Sequence, residues 1–223
     1  MLLRPYGSTG LQVPALGFGA GQIGDASRDE GEVRRLLNTA LVLGVTLIDT
    51  ARGDGLSEER IGRHLAHRRG EFVLSTKVGY GIQGVPDWTG AAIAAGIDAA
   101  LQRLRTDAID IVHLHSCDLA TLQCGDVIGT LLHAREQGKL RIAAYSGEHD
   151  ALAWAVDSGS FGGVECSVNR FDQGSRAATT AKPTGSVCSN WPTTPRACPG
   201  MSSRCALRPI NPKSVVPSSA PRR

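Results

Sequence analysis

With 223 residues, 41% hydrophobic and 20% charged, the chain can bury one sizeable core and has the balance of a folded globular protein, which argues against a fibrous or wholly disordered chain. The opening MLLRPYGSTG has no apolar run of signal-peptide length, and no stretch is apolar for the length of a bilayer span, so a cytoplasmic protein without a membrane partner is expected. The net charge of +3 is unevenly spread: residues 1–173 hold all 21 acidic residues against 16 Lys and Arg, a net of −5, whereas 174–223 hold eight basic residues and no acidic one.

Along the chain, Tyr6-Gly7-Ser8-Thr9-Gly10-Leu11 between short apolar pieces reads as a hairpin that could plug one end of a barrel. A short strand follows at 16–20 (LGFGA). Ser27-Arg28-Asp29-Glu30 has the form of a capping box with Ser27 at the N-cap. Val33, Leu36, Leu37, Ala40 and Leu41 then recur at helical spacing, and Gly44 ends that helix. A second strand at 45–49 precedes a helix starting near Ser57, and 72–77 (FVLSTK) is the third strand. Thr89 caps a helix carrying Ile93, Ile97, Leu101 and Leu104. The fourth strand is 109–115 (IDIVHLH), followed by a helix with Val127, Ile128, Leu131 and Leu132. The fifth is 140–146 (LRIAAYS), a helix covers about 150–157, and 164–169 (VECSVN) is the sixth strand. Repeated βα units with strands apolar on both faces predict a parallel sheet covered by helices.

After Gln173 neither helical nor strand periodicity continues, and eight of the eleven prolines lie in the last fifty residues. A basic tail for nucleic acid is one reading. A segment that never packs onto the barrel is the simpler one, so no nucleic-acid partner is expected. The absence of acidic residues also fits a shifted reading frame. The six cysteines form no C-x-x-C pair or zinc spacing and read as free thiols.

Two patterns compete for the chemistry. Gly19-Ala20-Gly21-Gln22-Ile23-Gly24 is a G-x-G-x-x-G after a strand, with Asp49 at the end of the next strand where a dinucleotide fold keeps its ribose-binding acid. The helix cap comes only after the last glycine, which counts against a pyrophosphate cradle. The second pattern places Asp49, Lys77 and His115 at the ends of three consecutive strands. In a parallel barrel those ends share one face and converge on one pocket. Taken singly, Asp49 could cap a loop, Lys77 could reach solvent, and His113 or His115 could be a core histidine.

With these residues in order, the chain resembles an aldo/keto reductase over about residues 2–173. YGSTGLQVPALGFGAGQIG resembles the family's opening, and GVTLIDTA with GLSEERIGRHL resembles the signature around its catalytic Asp. FVLSTKVG, LQRLRTDAIDIVHLHS and GKLRIAAYSG resemble its Lys, His and nicotinamide-contacting strands. The resemblance implies a (β/α)8 TIM barrel, here truncated after about six βα units. It also implies metal-free reduction of a small aldehyde or ketone with NADPH. In the family, a Tyr protonates the carbonyl oxygen, a Lys paired with an Asp lowers the Tyr pKa, and a His orients the carbonyl. Asp49, Lys77 and His115 match, and Asp54 stands where the family has its Tyr. Ser146 and Asn169 fall in the region that holds the nicotinamide carboxamide, Glu165 takes a position commonly Gln, and Gly19 remains a cofactor-side candidate.

A carboxylate at position 54 is several bonds shorter than a phenol, and next to Lys77 it is expected to be ionised. Tyr80 lies three residues past Lys77 on a different loop and is not expected to take the phenol's place. Nothing after residue 173 matches the last two strands, and Arg204 and Arg208 lack the context of phosphate-binding residues. Weak turnover and weak cofactor binding are therefore expected. The alternatives are an inactive relative that binds a nucleotide or partner, and a metal-dependent barrel hydrolase using Asp49, Asp54 and His115. Lys77 argues against the metal.

Overall fold

The computed structural model describes residues 1–171, 173–176 and 185–188. A hairpin opens the chain, with β1 (Leu3–Pro5) antiparallel to β2 (Gln12–Pro14). The main sheet follows in chain order. It comprises β3 (Phe18–Gly19), β4 (Leu47–Asp49), β5 (Val73–Val78), β6 (Ile109–His115), β7 (Leu140–Ser146), β8 (Gly163–Cys166) and β9 (Gly185–Cys188), all parallel and each paired to the next. Between them run α1 (Glu30–Val42), α2 (Ser57–Leu65), α3 (Gly90–Leu104), α4 (Leu119–Cys124), α5 (Asp126–Glu136) and α6 (His149–Ser158). Among the described residues β3 and β9 are the two edges, so the curled sheet is a partial barrel, as the repeated βα pattern predicts.

Side chains alternate across each strand. Ile48, Leu74, Val112, Leu114, Ala143, Tyr145 and Val164 face the helices and join Leu37, Ile61, Leu65, Ile93, Ile97, Leu104, Leu131 and Leu152 in the larger core. The opposite parity of the same strands begins apolar: Leu47, Ile111, Ile142 and Ala144 form a second cluster with Tyr6, Leu11 and Val13 from the hairpin, and with Val73 beside it. The hairpin therefore plugs the N-terminal end of the curled sheet, as its sequence suggested.

Local signals explain most boundaries. Thr89 caps α3 by accepting from Ala92 N, and Gly44, at φ +81°, donates to Leu41 O just beyond α1. The start of α1 departs from the sequence reading. Asp29, not Ser27, is the N-cap and accepts from Glu32 N at 2.9 Å. Ser27 is occupied elsewhere, donating its N–H and hydroxyl to Asp25. Leu36 also points outward, 47% exposed, rather than joining the apolar stripe of α1. The short α4 and the strand β9 have no counterpart in the sequence reading. β9 lies within 174–223 and pairs in register with β8, Glu165 opposite Val187. The remainder of that segment, including Arg204 and Arg208, lies outside the described residues. Cys117 and Cys166 are buried free thiols, whereas Cys124 is disulfide-bonded, against the free-thiol expectation. Among the described residues no helix is long and apolar enough to cross a membrane.

Candidate active site

The inner face that is apolar at its lower end turns polar at its upper end, two residues further along each strand. Leu47 gives way to Asp49, Val73 to Ser75 and Lys77, Ile111 to His113 and His115, Ala144 to Ser146, and Gly163 to Glu165. Register staggers the strands: Asp49 lies opposite Ser75, Lys77 opposite His113, and His115 opposite Ser146, which lies opposite Glu165. A two-residue step from strand to strand keeps parity, so all these side chains share the inner face at the C-terminal rim.

Lys77 is the centre of the group. It is 6% exposed, and its ammonium donates to Asp49 Oδ2 at 2.5 Å and to Thr50 O at 3.2 Å, with Glu165 Oε2 at 3.3 Å. Burial alone would lower its pKa, but Asp49 and Glu165 outweigh that and hold it above the ordinary lysine range. The second oxygen of Asp49 accepts from Ser75 Oγ at 2.7 Å. Because Ser75 donates to Asp49, its oxygen accepts from His113 Nε2 at 3.1 Å, which fixes the proton on that ring nitrogen. His113 Nε2 also lies 3.7 Å from Glu165. Burial, with Lys77 adding to it, pushes His113 down to about 3 and His115 down to about 4, so both imidazoles are neutral near pH 7.

The structure thus brings together Asp49, Lys77 and His115 as the strand-end pattern predicts, and it adds Ser75 and His113. These two could have been found from the sequence by stepping back two residues from Lys77 and His115. Glu165, the position the resemblance assigns to the cofactor side, is 6% exposed and pairs with Lys77. Ser146 ends β7 at the rim, buried and level with Glu165. Asn169 is exposed three residues beyond β8, its side-chain oxygen accepting from Phe171 N.

Asp54 is half-buried in the loop after β4. Its carboxyl is pushed above the ordinary range, chiefly by burial and further by Asp49, with Lys77 drawing it down. Lys77 therefore favours the ionised form of Asp54, as its place beside that ammonium suggests, but burial acts against it and is the larger effect. The G-x-G-x-x-G stretch is not a helix-capping cradle either. Gly21–Gly24 forms a single 3-10 turn, and α1 begins six residues later. A Cβ on Gly24 would lie 1.5 Å from Asp54 O, and Leu56 N donates to Gly24 O at 3.0 Å, so this glycine lets the first loop pack against the second. Gly19, on β3 opposite Asp49, faces open space. Buried Arg60 ties the first loop to α2 by donating to the carbonyls of Ile23, Asp25 and Arg28.

Asp49, His113 and Glu165 offer ligand atoms within 4.8 Å of one another, a spacing that could hold a metal ion. The Lys77 ammonium, bonded to Asp49 and paired with Glu165, already occupies the cationic position among them.

Sheet and site define a class: a barrel-type α/β protein with an ammonium–carboxylate group and imidazoles on the C-terminal rim. The chain belongs to the Aldo/keto reductase family, whose sequence profile matches residues 15–166. It is 31% identical over 154 residues to L-galactose dehydrogenase of Arabidopsis thaliana, an alignment covering 65% of this chain and 48% of that protein. It is 34% identical over 180 residues to D-threo-aldose 1-dehydrogenase of a Pseudomonas species, covering 67% and 55%. A crystal structure from Pseudomonas aeruginosa that bears an aldo-keto reductase assignment superposes with a TM-score of 0.77 at 32% identity, covering 84% of this chain and 77% of that one. The chain spans about half the length of the curated relatives it matches.

Proposed function

We propose that the chain is an oxidoreductase that reduces an aldehyde or ketone with a nicotinamide cofactor, NADPH by family resemblance. One observation carries this reading: Lys77 is clasped by Asp49 on the same rim as a neutral His115. The family membership and the relatives named as dehydrogenases support it.

The residues at the rim partly fit a nicotinamide. Ser146 presents a hydroxyl, able to donate and accept, at the end of β7, and Asn169 supplies an amide beyond β8. Glu165, level with Ser146, pairs with Lys77 at the same rim. Bound there, a reduced nicotinamide supplies a hydride. The chain's own residues hold and polarise the carbonyl: His115 offers a ring N–H to its oxygen, and the Lys77 ammonium sets a positive field that favours negative charge developing on it. Desolvation keeps these interactions strong.

The test is titration of the full chain with NADPH, followed by fluorescence, and then consumption of NADPH with 4-nitrobenzaldehyde, for wild type and Lys77→Met. Binding and consumption by the wild type, with consumption lost in the variant, supports the reading. Hydrolytic activity that needs an added divalent metal and survives Lys77→Met would replace it with the hydrolase alternative.

A further inference from the structure

Reduction of a carbonyl needs a proton as well as a hydride, and the structure raises the question of its source. Lys77 cannot readily provide it. An ammonium has three N–H groups, and those of Lys77 are directed to Asp49 at 2.5 Å, Thr50 O at 3.2 Å and Glu165 at 3.3 Å. Asp54 offers a short carboxyl from the neighbouring loop. One further ionisable hydroxyl reaches the rim: Tyr80 Oη lies 2.9 Å from His115 Nδ1.

This contact is built into the loop that follows β5. Gly79 takes φ +147°, a conformation that side chains rarely adopt, and a Cβ there would lie 2.1 Å from the Trp88 ring. Trp88 N donates to Gly79 O at 2.8 Å, and Gly81 N donates to Asp87 Oδ1 at 2.9 Å, closing the loop on itself. Arg52, from the loop that carries Asp54, donates through Nε and a terminal nitrogen to Gly81 O at 3.0 and 2.6 Å. The Tyr80 ring is thereby held 5.7 Å from Trp88 and 5.3 Å from His115, centre to centre. Its hydroxyl lies over Gly53, where a Cβ would approach to 3.0 Å. The phenol therefore comes from the β5 loop but ends beside residue 53, next to Asp54. The two loops meet here, which separation along the sequence conceals.

We propose that Tyr80 is the proton source for carbonyl reduction, acting through His115 in place of a phenol at position 54. This rests on the reductase reading above. Tyr80 donates its hydroxyl proton to His115 Nδ1, which leaves the N–H on Nε2, directed to the substrate. As hydride adds to the carbonyl carbon, the carbonyl oxygen takes the Nε2 proton and Nδ1 takes the Tyr80 proton. The products are an alcohol, a neutral imidazole and a tyrosinate. Once the alcohol leaves, Nε2 takes a proton from water and Nδ1 returns its own to the tyrosinate of half-buried Tyr80, which restores the starting tautomer. No oxidant or reductant beyond the nicotinamide is needed. General acid catalysis of this kind contributes about 10²–10⁴-fold.

Tyr80→Phe keeps the ring packed on Trp88 and removes only the hydroxyl. In the full chain it is expected to lower kcat for 4-nitrobenzaldehyde about 100-fold, with NADPH affinity unchanged. Nitrogen-15 NMR of histidine-labelled protein, read without substrate or cofactor, is expected to show His115 protonated on Nε2 and Nδ1 shifted in the variant. Equal turnover in Tyr80→Phe and wild type overturns the proposal, as does an unchanged His115 resonance. Turnover absent in wild type but present in Asp54→Tyr/Tyr80→Phe overturns it while sustaining the reductase reading. Failure of every variant to bind NADPH overturns both.

Discussion

The two ends of the inner sheet face are built by the same strands, two residues apart, and do opposite things. At the lower end Leu47, Ile111, Ile142 and Ala144 pack on Tyr6, Leu11 and Val13 of the hairpin. At the upper end Asp49, Lys77, His113 and Glu165 face one another, all buried except the partly exposed Asp49. The lower end is a source of stability through apolar burial. The upper end keeps charges out of water, which is costly unless each has its partner. Alternation of period 2 makes this division possible, because one parity can change character along the strand while the other remains core.

Mutations can break the comparison at either end. Lys77→Met strands the Asp49 and Glu165 carboxylates beside each other and should cost about 3–5 kcal/mol in urea unfolding as well as turnover. Ile111→Ala opens a cavity at the lower end and should cost about 2–5 kcal/mol, while NADPH affinity of the folded fraction stays near wild type. If Ile111→Ala abolished binding without unfolding, the division between the two ends would be wrong.

Acid sharpens the contrast further. His113 has a folded pKa of about 3, below its ordinary 6.5, mainly because burial disfavours the imidazolium. The unfolded chain therefore binds the proton first. Its contribution is fully present above pH 6.5 and declines as pH falls toward about 3. Thermal melts from pH 7 to 4 should fall less steeply in His113→Gln than in wild type, and parallel curves would contradict the assignment. At the far end of the scale, Asp29→Ala removes the α1 cap, away from both ends, and should cost about 1 kcal/mol with no change in cofactor binding.

Much of this was legible in the sequence. The apolar runs ending in Asp49, Lys77 and His115, with Thr89 and Gly44 as boundary signals, describe the βα repeat and the rim. Other features depend on contacts that no local pattern carries. Ser27 has the form of a cap, but its hydrogen bonds to Asp25 leave that role to Asp29. The pairing of Glu165 with Lys77, three strands away, depends on the sheet's curl and leaves no local signal in the sequence. The pairing of β9 with β8 is likewise absent from the sequence pattern, which shows no strand period there.

The most direct test of the account is NADPH consumption, followed at 340 nm, by the full wild-type chain with excess 4-nitrobenzaldehyde, beside Asp49→Asn. The account predicts steady consumption by the wild type and a loss of at least tenfold in the variant, which lacks the carboxylate that pairs with Lys77. Equal rates in the two proteins would contradict it.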